Sequence, residues 1–143
     1  MRILSVDYGD ARTGIAVCDP QGLVVSPVTV IHESWPPKVA KAVAGLAESK
    51  KAERVVVGCP RNMDGSYGFR ARKCEELADM LRKDYGLNVE LYDERLTTVE
   101  AHRALSVTNT RGKARKTVVD AVSAVIILED YLKFQENQQH GNN

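Results

Sequence analysis

Up to Ile31 the apolar positions fall in short runs broken by turn residues, and beyond Ser34 they recur at helical spacing. Residues 2–8 (RILSVDY) and 13–18 (TGIAVC) predict two strands joined by the turn Gly9-Asp10-Ala11-Arg12. Pro20-Gln21-Gly22 makes a second turn, and residues 23–31 (LVVSPVTVI) predict a third strand. Pro27 inside that run marks an edge strand or a bulge, because proline cannot donate to a ladder. Three strands in such quick succession predict an antiparallel meander.

Ser34-Trp35-Pro36-Pro37 then signals a helix entry, with Val39, Val43, Leu46 and Ala47 following at helical spacing. Arg54-Val55-Val56-Val57-Gly58 is a continuous apolar run, the pattern of a strand buried on both faces in a parallel pairing. After a turn-rich loop, Cys59 to Gly68, the positions Cys74, Leu77, Ala78, Leu81 and Tyr85 mark a second amphipathic helix. Asn88 to Tyr92 predicts a fifth strand, and Thr97-Thr98-Val99-Glu100 has the capping-box spacing that opens a third helix. Residues 117–133 predict a fourth, apolar nearly all round and therefore buried.

The order βββ-α-β-α-β-α-α predicts an α/β fold. Its five-stranded mixed sheet has three antiparallel strands, then two parallel to the first, with helices on both faces. The carboxyl ends of strands 1, 4 and 5 then share one edge, the usual place for a site in an open α/β sheet. Residues 1–136 should form a single domain, with 137–143 a polar, disordered tail.

Composition narrows the class. The 143 residues are 43% hydrophobic and 27% charged, with 20 Lys+Arg against 19 Asp+Glu, which suits one soluble domain and excludes a disordered or fibrous chain. Asp7 interrupts the first apolar run, so no signal peptide is expected, and no run approaches the roughly 20 residues that span a bilayer. Cys18, Cys59 and Cys74 have no C-x-x-C spacing, which argues against a disulfide scaffold or zinc site and for a reducing cytoplasm. His32, His102 and His140 have no metal-ligand spacing, and no Ser/His/Asp pattern is present.

Three acids stand in costly places. Asp7 ends the first strand, on the face of Ile3 and Ser5 by alternation; its bland role would be to cap the Gly9 turn. Asp93-Glu94 follows the fifth strand, where either acid could support the dipole of the next helix; Glu94 has the longer reach, and Asp93 could orient Arg95. Asp120 is the only charge between Thr117 and Leu128. A buried carboxylate needs compensation, from Arg115 or Lys116, from the helix N-terminus, or from a metal ion. Carboxylates gathered at one point repel, and hard divalent cations relieve that repulsion. Two such ions would serve phosphodiester hydrolysis by activating water and stabilising the departing oxygen.

The loop Gly58 to Ser66 could present backbone N–H groups to a phosphate, with Arg61 adding charge, or be a plain turn. Arg70, Arg72 and Lys73 fit a solvated helix face. From Ala101 to Val119 no acid occurs, whereas Arg103, Arg111, Lys113, Arg115 and Lys116 do. Ser106 to Arg115 suggests a mobile loop, either merely solvated or bringing a nucleic-acid backbone to the acids. Aromatic residues for stacking are scarce, which favours recognition of shape or backbone over bases.

Four segments carry a family resemblance across nearly the whole chain. They are Val6-Asp7-Tyr8-Gly9 with Arg12-Thr13-Gly14-Ile15-Ala16; Gly58 to Gly65; Asp93-Glu94-Arg95-Leu96-Thr97-Thr98; and Val119-Asp120-Ala121 running into Ala124 to Leu128. The chain resembles the YqgF (RuvX-like) family, with an RNase H-like fold and kinship to RuvC resolvases. The resemblance implies that Asp7, Glu94 and Asp120 form an acidic triad, both catalytic and holding one or two Mg²⁺ or Mn²⁺ ions. Arg12, Arg61, Asn62, Arg95, Arg111, Lys113, Arg115 and Lys116 are the candidate substrate contacts beside that triad. The implied activity is a metal-dependent endonuclease maturing the 5′ end of 16S ribosomal RNA precursor. Structured RNA, a four-way DNA junction and the ribosome are the implied partners, for a monomer or homodimer with no membrane role.

Three alternatives stand beside that reading. One is a Holliday junction resolvase, which would need two protomers to cut symmetrically. Another is a non-catalytic nucleic-acid binding module. The last is a nucleotide-binding domain like that of sugar kinases and actin-like ATPases, which the Asp7-x-Gly9 and Thr13-Gly14 pattern resembles but which requires two such domains.

Overall fold

The computed structural model describes residues 1–59, 68–93 and 112–141. Strands β1 (Ile3–Tyr8), β2 (Thr13–Cys18) and β3 (Val25–Ile31) come first, then helix α1 (Pro36–Ser49), strand β4 (Arg54–Cys59), helix α2 (Phe69–Tyr85), strand β5 (Val89–Asp93) and helix α3 (Gly112–Gly141). The sheet order is β3-β2-β1-β4-β5. β1 pairs antiparallel with β2, and β2 with β3, while β4 runs parallel to both β1 and β5. This is the mixed sheet the sequence pattern predicts, with β1 at its centre.

Both expectations for Pro27 hold. β3 is an edge strand, and its ladder shifts register where Ile15 faces Thr29 but Ala16 faces Pro27, leaving Val28 as the extra residue.

The two faces of the sheet carry separate cores. Leu4, Val6, Ile15, Val55 and Val57 pack with Val39 and Val43 of α1 and Leu77 and Leu81 of α2. On the other face Ile3, Val56 and Tyr92 pack with Ile127, Leu128 and Tyr131 of α3, and Ala16 with Ala124 and Val125. β4 is buried along both faces, as its unbroken apolar run requires. None of the helices among the described residues is long and apolar enough to cross a membrane.

The start of α1 matches the expected helix entry, and the ends of α3 differ from the sequence reading. α1 takes Trp35 as its N-cap, with Pro36 and Pro37 in its first turn. α3 is longer at both ends than the 117–133 of the apolar pattern, and its first residues, 112–115, belong to helix where the sequence suggests a loop. Ala, Lys, Arg, Gln and Glu, which fill those extensions, favour helix without leaving an apolar stripe to detect. The helix expected from Thr97 lies outside the described residues.

Candidate nucleic-acid interface

Asp7 is half-buried at the carboxyl end of the central strand. Its neighbours across the sheet are small. Gly14 pairs with it on β2, and Gly58 is the next β4 position after the Val6–Val57 pair. Neither neighbouring strand position carries a side chain beside this carboxylate. Two residues earlier, and on the same face, the fully buried Ser5 donates its Oγ hydrogen to the Ala124 carbonyl at 2.7 Å. Ser5, its β2 partner Ala16 and Ala124 are all small and all at zero exposure, so α3 crosses β1 closely there. Ile3 packs with Ile127 and Leu128 while Ser5 meets Ala124, so α3 runs antiparallel to β1. Residue 120 lies one helical turn before Ala124 along α3, in the direction of the Asp7 end of the strand.

The turn after Asp7 is tight. A Cβ on Gly9 would lie 2.5 Å from the Arg12 carbonyl oxygen, so only glycine fits without a backbone shift. From α2, Arg70 Nη2 donates to the Tyr8 carbonyl at 3.2 Å, and Lys73 Nζ meets Asp10 Oδ1 at 3.2 Å. These two basic residues, which the sequence assigns to a solvated face, brace the end of β1 and its turn. Their spacing of three on one helix face was the available signal; the partners, more than sixty residues away, were not. The Tyr8 phenol is pushed up from its ordinary range, first by burial and then by nearby Cys74, Asp10 and Glu76.

The other strand ends share this edge. β4 closes at Cys59 opposite Asp93 on β5. Cys74 Sγ donates to the Gly58 carbonyl at 3.2 Å, holding α2 against that strand end. Arg12 is half-buried at the start of β2. Lys113, Arg115, Lys116 and Asp120 belong to the first turns of α3. Glu94, Arg95, Arg111, Arg61 and Asn62 lie outside the described residues, and among the described residues no three His, Cys, Asp or Glu side chains converge.

An apolar-walled groove of about 520 Å³ lies elsewhere, lined by Ala44, Glu48, Ala52, Tyr85 and Leu87 at the opposite end of the parallel strands. Asp7 stands at the other end of those strands, so the groove is not its substrate pocket. A chain as wide and charged as nucleic acid calls for an open, basic sheet edge and not a closed cavity.

Comparison with known proteins follows the same line. A family model described as "RuvX: Holliday junction resolvase" matches residues 1–134. A protein of Halothermothrix orenii (strain H 168) named "Putative pre-16S rRNA nuclease" is 43% identical over 141 residues, covering 99% of this chain and 100% of that protein. One of the same name from Agathobacter rectalis is 37% identical over 142 residues, covering 97% and 99%. Among solved structures, T. thermophilus RuvC in complex with Holliday junction substrate has a TM-score of 0.60 at 12% identity over 95% of each chain. The fowlpox virus Holliday junction resolvase has a TM-score of 0.55 at 14% identity, covering 93% of this chain and 99% of that one. The two structural likenesses speak for the fold; the family match and the relatives in sequence settle membership. The chain belongs to the RuvX family.

Proposed function

We propose that this protein is a divalent-metal-dependent endonuclease that hydrolyses phosphodiester bonds in structured RNA, maturing the 5′ end of 16S ribosomal RNA precursor. Its chief support is the Ser5–Ala124 hydrogen bond, which fixes the register of α3 on β1. From Ser5 to Asp7 the strand advances about 6.6 Å. From Ala124 back to Asp120 the helix advances about 6 Å in the same direction. These nearly equal steps from a shared point support reading residue 120 as level with Asp7.

Strand alternation favours Glu94 over Asp93 as the third acid. Asp93 pairs with Cys59, which belongs to the α1/α2 face and not to the face of Asp7, and this counts against Asp93. Three carboxylates form a hard oxygen donor set that suits Mg²⁺ or Mn²⁺, and the glycines flanking Asp7 set no side chain beside it. One or two such ions, when bound, would activate a water and stabilise the departing oxygen. The chain itself orients its acids through the Ser5 and Arg70 contacts. Arg12, Arg61, Asn62, Arg95, Arg111, Lys113, Arg115 and Lys116 would neutralise the phosphate backbone.

RNA is favoured by the names of the relatives in sequence, and a four-way DNA junction by the description of the family model. A cleavage assay on both, with Mg²⁺, Mn²⁺ or EDTA, separates them. Metal-dependent cutting of ribosomal RNA precursor, absent in Asp7→Asn, is the expected result. Cutting of the junction alone would move the function to recombination, and full activity in Asp7→Asn would overturn the triad.

A further inference from the structure

Trp35 is the only tryptophan in the chain, and neither its place nor its packing is explained by folding. It is the N-cap of α1, a position that favours short polar residues, and it makes no side-chain cap there. Some 57% of it stands in solvent, so it contributes little to either core. Its backbone is nevertheless firmly held. The Trp35 carbonyl accepts from the N–H groups of Lys38 and Val39, both at 3.0 Å, and the prolines that follow fix their own φ.

Its location follows from the ladder. Tyr8 at the end of β1 faces Thr13, and Thr13 faces Ile31 at the end of β3. The chain leaves β3 at the edge where Asp7 stands and reaches Trp35 four residues later. Two inter-strand spacings separate the ends of β1 and β3 by about 10 Å, about three base steps of a stacked strand. Among the described residues the other exposed aromatics do not share this place. Phe134 packs edge-on against Tyr92, and Tyr85 lines the groove at the far end. No acid sits in the first turn of α1 and Lys38 is exposed there, while the one acid of the preceding connection, Glu33, is half-buried.

We infer that Trp35 is a substrate-contact residue whose indole stacks on an unpaired base of RNA flanking the cleaved position. A single platform of this kind binds without reading sequence, since every base offers a π face. The inference rests on the nuclease reading above.

The lone indole makes the test direct. Wild-type protein in EDTA is titrated with a hairpin RNA carrying an unpaired 5′ extension and with the same hairpin blunt-ended. Tryptophan emission and the anisotropy of a dye on the RNA are followed together, and cleavage with Mg²⁺ is measured separately. The tailed RNA should quench the indole with the midpoint of the anisotropy curve. Trp35→Ala should bind it about tenfold more weakly or worse. Trp35→Phe should stay near wild type, and the blunt RNA should not distinguish the three proteins. A circular dichroism melt confirms that both variants fold. Binding without quenching, or a Trp35→Ala protein that binds the tailed RNA like wild type, overturns the stacking role while the nuclease reading stands. If wild type neither binds nor cuts either RNA, both fall.

Discussion

Substitution of Ser5 tests whether the α3 register governs the site. Ser5→Ala removes one buried hydrogen bond of 2.7 Å. The Ala124 carbonyl, inside α3, keeps its own helical donor four residues on, so no acceptor is orphaned. The cost is then that of one net hydrogen bond, about 1 kcal/mol, or about 3 °C in Tm for a domain of this size. Ser5→Val is a different perturbation. It loses the same bond and forces extra methyl volume against Ala16 and Ala124, both at zero exposure. Overpacking adds about 1–3 kcal/mol, for a total of about 2–4 kcal/mol and a Tm lower by about 6–12 °C. The helix must also slide or lift off β1. A displacement of about 1 Å between reacting groups can reduce a rate on the order of 100-fold. Thermal melts and single-turnover cleavage of labelled RNA at a temperature where both variants are folded give the two numbers. Ser5→Ala should cut within a few-fold of wild type, and Ser5→Val far more slowly. A Ser5→Val protein that is destabilised as expected yet cuts at the wild-type rate would refute the coupling between this crossing and the acids.

Three other expectations are independent of that one. Mg²⁺ should raise the Tm of wild type and not of Asp7→Asn, because a ligand stabilises only the fold that binds it; differential scanning fluorimetry with and without EDTA shows this. Gly9→Ala, whose Cβ would meet the Arg12 carbonyl oxygen at 2.5 Å, should lose about 1–3 kcal/mol in a urea titration and slow cleavage by shifting the turn behind Asp7. At the opposite end of the sheet, the Tyr131 hydroxyl donates to Glu90 Oε2 at 2.5 Å and accepts from Arg54 Nη1 and Gln135 Nε2, both at 2.8 Å. Burial, and then the bond to Glu90, pushes that phenol up to about 12. Its raised value stabilises the fold fully below pH 10, and the contribution drains away as pH rises from 10 through 12. Tyr131→Phe should therefore be less stable at neutral pH, show a shallower loss in that alkaline window, and cleave RNA normally.

The sheet was legible because its cues are local. A period of two, turns at Gly9 and Gly22, and an unbroken valine run for β4 each specify a strand without reference to anything distant. Pro27 announced both an edge and an irregular register, and β3 has both. The ends of α3 were not legible, since the residues that extend it favour helix without patterning it. Within the site, Asp7 stood out as a carboxylate ending an apolar strand. Ser5 and Arg70 did not, because their roles exist only through partners 119 and 62 residues away. Trp35 read as part of a helix entry, and only the burial around it separates a packing residue from an exposed one.

The irregular outer strand bears on how two copies could meet. A sheet grows across a two-fold axis when its edges offer an unbroken ladder of donors and acceptors. β3 spoils that ladder with an imino nitrogen at Pro27 and an unmatched residue at Val28, and at the other border β5 offers five residues. Continuous sheet pairing through β3 is thus disfavoured, and a dimer able to nick opposite arms of a four-way junction would join through helices, loops or the β5 edge instead. Where helices join the copies, the span between the two cutting centres is set by helix packing, which a few surface substitutions can retune, and not by the fixed rungs of a shared sheet.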